Sequence, residues 1–166
     1  MYSKILVPLD LSHKDDYWLK TPLVIADGIA RQSNGSIHLM SAVPYHALEA
    51  FYPNIFRHEI AEKAKADLAA IATRYCRPDA HVEIDVAEGG TIEVDILNAA
   101  RELSADLIVM PTHMPTARDY LLGSHAARIA LHAPCSVMVV RKPEPRATHV
   151  PLDDVEAPLR GHAVSG

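Results

Sequence analysis

The chain carries no surplus of positive charge. Its formal net charge is −5 across 166 residues, which argues against a nucleic-acid partner, since such a partner calls for a basic face. It has no apolar run approaching the roughly 18 residues that span a bilayer, so no membrane insertion is expected. Met1-Tyr2-Ser3-Lys4 leads straight into an apolar segment without a charged n-region or cleavage site, which predicts a cytoplasmic protein. There are only two cysteines, Cys76 and Cys135, far apart and not in a CxxC pair; reduced thiols are expected, with Cys135 a small buried hydrophobe before a core strand. No Walker-type Gly-Lys-Ser/Thr occurs, and no Asp/Glu cluster has metal-ligand spacing. The ten histidines form no diagnostic Ser/His/Asp set. No segment repeats.

What is present is an alternation of strand and helix patterns. Ile5–Leu9, Ser36–Val43, Leu107–Met110 and Val137–Val140 are short runs rich in β-branched and apolar residues, the pattern of buried parallel strands. His81–Val86 instead alternates polar and apolar residues, as an edge strand does. Between them lie amphipathic stretches. One follows Asp15-Asp16 to about Gln32, with Leu19, Leu23, Ala26 and Ala30 on one face and Asn34-Gly35 as a left-handed cap. In it Pro22 either kinks the helix or takes its first turn behind Thr21 as cap. A second runs from Asn54 to about Cys76, with a charged, solvated outer face. A third follows a Thr91 cap to about Ser104, with Ile92, Ile96, Ala99, Ala100 and Leu103 inward. The last is a short helix over Ser124–Leu131. This order predicts a five-stranded parallel sheet, doubly wound and Rossmann-like, with helices on both faces.

The loops mark where function would sit. Asp10 ends the first strand, where open parallel sheets bind ligands; an aspartate there serves equally as a turn former or helix cap. Pro44–Pro53 holds Tyr45, His46, Phe51 and Tyr52, either a lid over a ligand, a partner surface, or a loop stapled to the body by its aromatics. Gly123-Ser124 opens a helix, whose unpaired N–H groups accept an anion such as phosphate. Thr112–Leu122 contains His113, Thr116, Arg118 and Asp119, polar groups that either reach a phosphate or metal or are simply solvated. After Arg141, residues 142–166 hold four prolines and no sustained period, which predicts an extended or disordered tail beyond a domain spanning 1–141.

PTHMPTARDYLLGSHAARIALHAPCSVMVVR resembles the C-terminal signature of the universal stress protein family: Gly-x-x-Gly, a spacer, Gly-Ser, and a HAPCPVLVVR-like final strand. Lys4-Ile5-Leu6-Val7-Pro8-Leu9-Asp10 is similar to the family's first strand. Pro111 and Met114 occupy the two early glycine positions, and the spacing to Gly123 is one residue shorter; Met114-Pro115 is closer to a subgroup carrying Asn-Pro there. The resemblance implies the three-layer fold of adenine nucleotide alpha hydrolase-like proteins and a cleft for ATP or AMP. Its residues would be Pro8, Leu9, Asp10, Ala42, Pro111, Thr112, His113, Met114, Leu122, Gly123, Ser124 and His125, with any Mg2+ carried by phosphate oxygens and water. Asp10 and the Ala42 backbone would address the adenosine, Gly123 and Ser124 the phosphates. It also implies a homodimer through Val137, Met138, Val139 and Val140, and a stress-response role through a protein partner the sequence does not identify. The alternatives are a nucleotide-free dimeric interaction module and, from a third class, a slow ATP hydrolase or nucleotidyl transferase. Leu11-Ser12-His13-Lys14 is a poor substitute for a transferase motif, so a binder is favoured over an enzyme.

Overall fold

The computed structural model describes residues 2–12, 15–43, 57–88, 90–112 and 124–143. In chain order the elements are β1 (Lys4–Pro8), α1 (Tyr17–Ser33), β2 (Ser36–Val43), α2 (Arg57–Tyr75), β3 (His81–Glu88), α3 (Ile92–Leu103), β4 (Leu107–Pro111), α4 (Ser124–His132) and β5 (Ser136–Val140). All neighbouring strands pair in parallel, in the order β3-β2-β1-β4-β5. The five-stranded doubly wound sheet expected from the sequence is therefore present, with β3 at one edge.

Alternation along the strands divides the core into two layers. Ile5, Val7, Ile37, Leu39 and Val109 pack with Leu23 and Ala26 of α1 and Ala64 and Leu68 of α2. Leu6, Met40, Ile108 and Met110 pack on the other face with Ile96 and Ala100 of α3 and Ala126 and Ile129 of α4. Winding runs outward from β1 through β2 to β3, then resumes at β4 on β1's other side. The crevice where ligands bind in such sheets thus lies at the carboxyl ends of β1 and β4.

Local chemistry sets the helix ends. The Asp15 carboxylate accepts the Tyr17 N–H at 3.0 Å, so α1 begins there and Pro22 falls inside it; Thr21 is not its cap. Asn34 closes α1 in the left-handed region at φ 51°, ψ 40°, as its sequence predicts. Thr91 takes the cap position of α3 in extended backbone, but its side chain makes no cap hydrogen bond. Ile92, expected inward, is 37% exposed: as the first residue of α3 it lies a turn beyond the layer that Ile96 and Ala100 fill. Beyond β5, the Tyr17 hydroxyl donates to the Arg141 carbonyl at 2.8 Å and Lys142 Nζ to Asp15 Oδ2 at 2.6 Å, tying this segment to the start of α1. Both cysteines are free and half-buried; burial pushes the Cys76 thiol up to about 11 and Cys135 upward as well. Among the described residues no helix is long and apolar enough to cross a membrane.

One carboxylate ties the amino ends of the two central strands. Asp106 accepts the Ser3 N–H at 2.7 Å, the Ser3 hydroxyl at 2.8 Å and the Lys4 N–H at 3.1 Å. Burial alone would raise its pKa, but these donors outweigh it and hold the carboxyl below its ordinary 3.8. A group depressed in the folded state stabilises fully above its unfolded pKa and stops doing so as pH falls through the folded value. The stability gap between wild type and Asp106→Asn is accordingly expected to stay constant from pH 7 to about 5 and to narrow below about 4. Urea midpoints across that range check it; a gap independent of pH down to acid unfolding would contradict the tie.

Candidate functional site

The first wall of the crevice is the end of β1. Buried Leu9 donates its N–H to the Met40 carbonyl at 2.8 Å, extending the pairing with β2 by one residue. Pro8 still belongs to the strand, so Asp10 is the first side chain to leave the sheet. Asp10 is exposed, and its Oδ1 accepts the Ser12 N–H at 2.9 Å. The turn-forming role is thus seen directly, and it anchors the carboxylate at the strand end. Next to it, half-buried Ala42 lies near the end of β2, in register with Ala87 of β3.

The second wall is the end of β4. Thr112 donates its N–H to the Val140 carbonyl at 3.0 Å, toward β5. Successive residues of a strand direct their backbone groups to opposite sides, so the Pro111 nitrogen faces β1. Pairing of β1 with β4 is recorded only at Ile5–Leu107 and Leu6–Ile108. Neither Pro8 nor Pro111 has an N–H, so neither donates a ladder bond between β1 and β4 beyond these pairs. At Pro111 this takes one N–H from the crevice side. Thr112 is 4% exposed, and its Oγ1 is buried without a hydrogen-bond partner.

The third wall is the start of α4, which right-handed winding brings back to the carboxyl end of the sheet. Ser124 and His125 are both exposed. His125 Nδ1 lies 3.0 Å from Glu93 Oε1, with Arg128 Nη1 3.7 Å from the same oxygen. Glu93 sits in the first turn of α3, mostly buried, and its carboxyl titrates below the usual range. Its own backbone N–H is the main cause; burial opposes, and His125 adds to the lowering. This pair joins the first turns of α3 and α4 beside the crevice. Sequence reading missed Glu93, because its only local signal is an acid at a helix start, common for dipole reasons alone.

The structure therefore brings Pro8, Leu9, Asp10, Ala42, Pro111, Thr112, Ser124 and His125 to the carboxyl end of the sheet. His113, Met114, Leu122 and Gly123 lie outside the described residues, as do Thr116, Arg118, Asp119 and the Pro44–Pro53 loop with its aromatics. Among the described residues no three His, Cys, Asp or Glu side chains are grouped to hold a metal ion. A separate polar cavity of about 630 Å³ opens near the amino ends of β2 and β3, lined in part by Arg31, Asn34, Arg77 and His81. Its Arg77 is committed to Asp27 at 3.0 Å and Asp79 at 3.1 Å. An exposed carboxylate at the end of β1, a helix start at α4 and an unpaired hydroxyl at the end of β4 fit a ligand with both polar and anionic parts.

The profile of the universal stress protein family matches residues 1–141. The chain belongs to the universal stress protein family. Universal stress protein G of Shigella flexneri is 28% identical over 150 residues, covering 85% of this chain and all of that protein. The universal stress protein of Archaeoglobus fulgidus, solved in complex with dAMP, superposes with a TM-score of 0.59 at 21% identity, over 83% of this chain and 97% of that one. A universal stress protein solved in complex with cAMP gives 0.56 at 22% identity, over 86% and 98%. At these identities the two structures establish the shared fold of this family member.

Proposed function

We propose that this family member is a regulatory module that binds an adenine nucleotide, AMP or ATP, in the crevice between β1 and β4 and responds to stress through a protein partner. One observation carries the reading: Asp10 and Ser124 sit at the carboxyl end of the sheet on two sides of the point where its winding reverses. Asp10 and the Ala42 backbone address the adenosine, while the start of α4, with the Ser124 hydroxyl, holds phosphate. Mg2+, when bound, is carried by phosphate oxygens and water. The dAMP and cAMP complexes of the two similar proteins support an adenine nucleotide as ligand. The chain carries out no committed chemistry in this reading, and the domain ends at Arg141, where the family match ends.

The same module is a homodimer in this reading. β5 is an edge strand whose Val137 and Val139 are half-buried and whose Met138 is 37% exposed. An apolar edge of this kind is covered by pairing with a second copy. Pro111 favours a second reading, a nucleotide-free dimeric interaction module, because it takes one backbone donor from the crevice.

The test is to denature purified protein, analyse the supernatant for adenine nucleotide, and titrate the emptied protein with AMP and ATP, with and without Mg2+. Wild type is expected to carry or bind nucleotide, and Asp10→Ala to bind about tenfold more weakly, the loss of a hydrogen bond to a charged group. If wild type neither carries nor binds nucleotide, the proposal fails and the interaction module remains.

A further inference from the structure

We propose that the Thr112 hydroxyl is a phosphate donor, left unpaired in the empty protein and satisfied when the nucleotide's phosphate reaches the start of α4; this rests on the nucleotide-binding reading above. A hydroxyl shut away from water without a partner destabilises the fold that contains it, and native proteins seldom keep one without a use. Thr112 is such a residue, 4% exposed and with its Oγ1 buried and unpartnered.

Its direction follows from the strand. Ile108 and Met110 pack in the layer formed with α3 and α4. Thr112 is two residues further on, and its N–H continues the ladder to Val140, so its side chain faces the same layer. That is the layer in which α4 begins at Ser124, its first N–H groups lacking partners within the helix. A phosphate held by those groups presents several acceptor oxygens, and a threonine hydroxyl donates one hydrogen bond. Adenosine, lacking the phosphate, offers nothing there. Thr112 thus separates nucleotides from nucleosides, and the empty protein gives up stability to keep this donor in place.

Thr112→Val retains the shape and removes the hydroxyl; Thr112→Ser retains the hydroxyl. Melting temperatures of the empty proteins and calorimetric titrations with AMP and with adenosine test the proposal. Thr112→Val is expected to melt about 2–4 °C higher than wild type, to bind AMP about tenfold more weakly, and to bind adenosine unchanged. Thr112→Ser is expected to keep wild-type AMP affinity. If Thr112→Val binds AMP as tightly as wild type does, the phosphate role is overturned while nucleotide binding stands. Equal weakening for AMP and adenosine would place the hydroxyl on the ribose and also overturn it. A melting temperature several degrees below wild type would mean that the hydroxyl already has a partner in the empty fold. If wild type binds neither ligand, this inference and the reading beneath it fall together.

Discussion

Replacing Ile129 with alanine is expected to lower stability by about 2–5 kcal/mol, while Leu131→Ala, two residues away on the same helix, changes it by less than about 0.5 kcal/mol. Ile129 is fully buried against the α3-side core, whereas Leu131 is 78% exposed. The helix carrying both has nine residues, Ser124–His132, too few to persist alone in water. Its order therefore comes from the anchors it buries, Ala126 and Ile129. Removing the larger anchor leaves a cavity under α4 and loosens the helix start that faces the crevice. Urea unfolding of the three proteins measures the contrast. Comparable losses for the two substitutions would mean that α4 is not held by this face. The same experiment bears on the proposed phosphate site, because a helix that no longer docks cannot present its N–H groups to an anion.

Gly35→Ala is expected to destabilise by about 1–3 kcal/mol, the cost of forcing atoms into a packed site. A Cβ on Gly35 would lie 2.6 Å from the Ser3 carbonyl oxygen and 2.8 Å from the Ser3 Cα. Both are backbone atoms, so no side-chain rotation relieves the clash. That carbonyl also accepts the Ser36 N–H at 2.8 Å, the contact that opens the pairing of β1 with β2. Gly28→Ala is the control. Gly28 is exposed within α1, and a Cβ there meets nothing within 4 Å. Alanine is about 0.8–1 kcal/mol better than glycine inside a helix, so this variant is expected to be more stable than wild type. Opposite shifts in thermal midpoint for the two glycines support the close approach at Gly35; a neutral Gly35→Ala would contradict it.

The strands were legible because a parallel sheet buried on both faces demands runs such as Leu107–Met110, and few other structures tolerate them. The edge position of β3 was legible from the alternation of His81, Glu83 and Asp85 with Val82, Ile84 and Val86. Pro22 was ambiguous because proline suits a helix's first turn and is also tolerated within one; the contact of Asp15 with the Tyr17 N–H decides it, and that contact leaves no periodic trace. Ile92 fitted the apolar stripe of α3 by spacing alone, but spacing does not say where the underlying layer stops. At the crevice, Asp10 and Ser124 were readable from their places at a strand end and a helix start. Glu93 was not, since its partners His125 and Arg128 lie on another helix. Nor was the isolation of the Thr112 hydroxyl, which is a property of everything packed around it rather than of any local pattern.

The reversal of winding between β1 and β4 also dictates when the crevice first exists during synthesis. Ser3 and its partner Asp106 are separated by 103 positions. A ribosome emitting about 5–20 residues per second delivers β1, β2 and β3 well before β4 emerges. Until then β1, the central strand of the finished sheet, has a neighbour on one side only. Its other edge stays open to any strand that offers itself until β4 is made. The crevice itself has no second wall until β4, Leu107–Pro111, has been made.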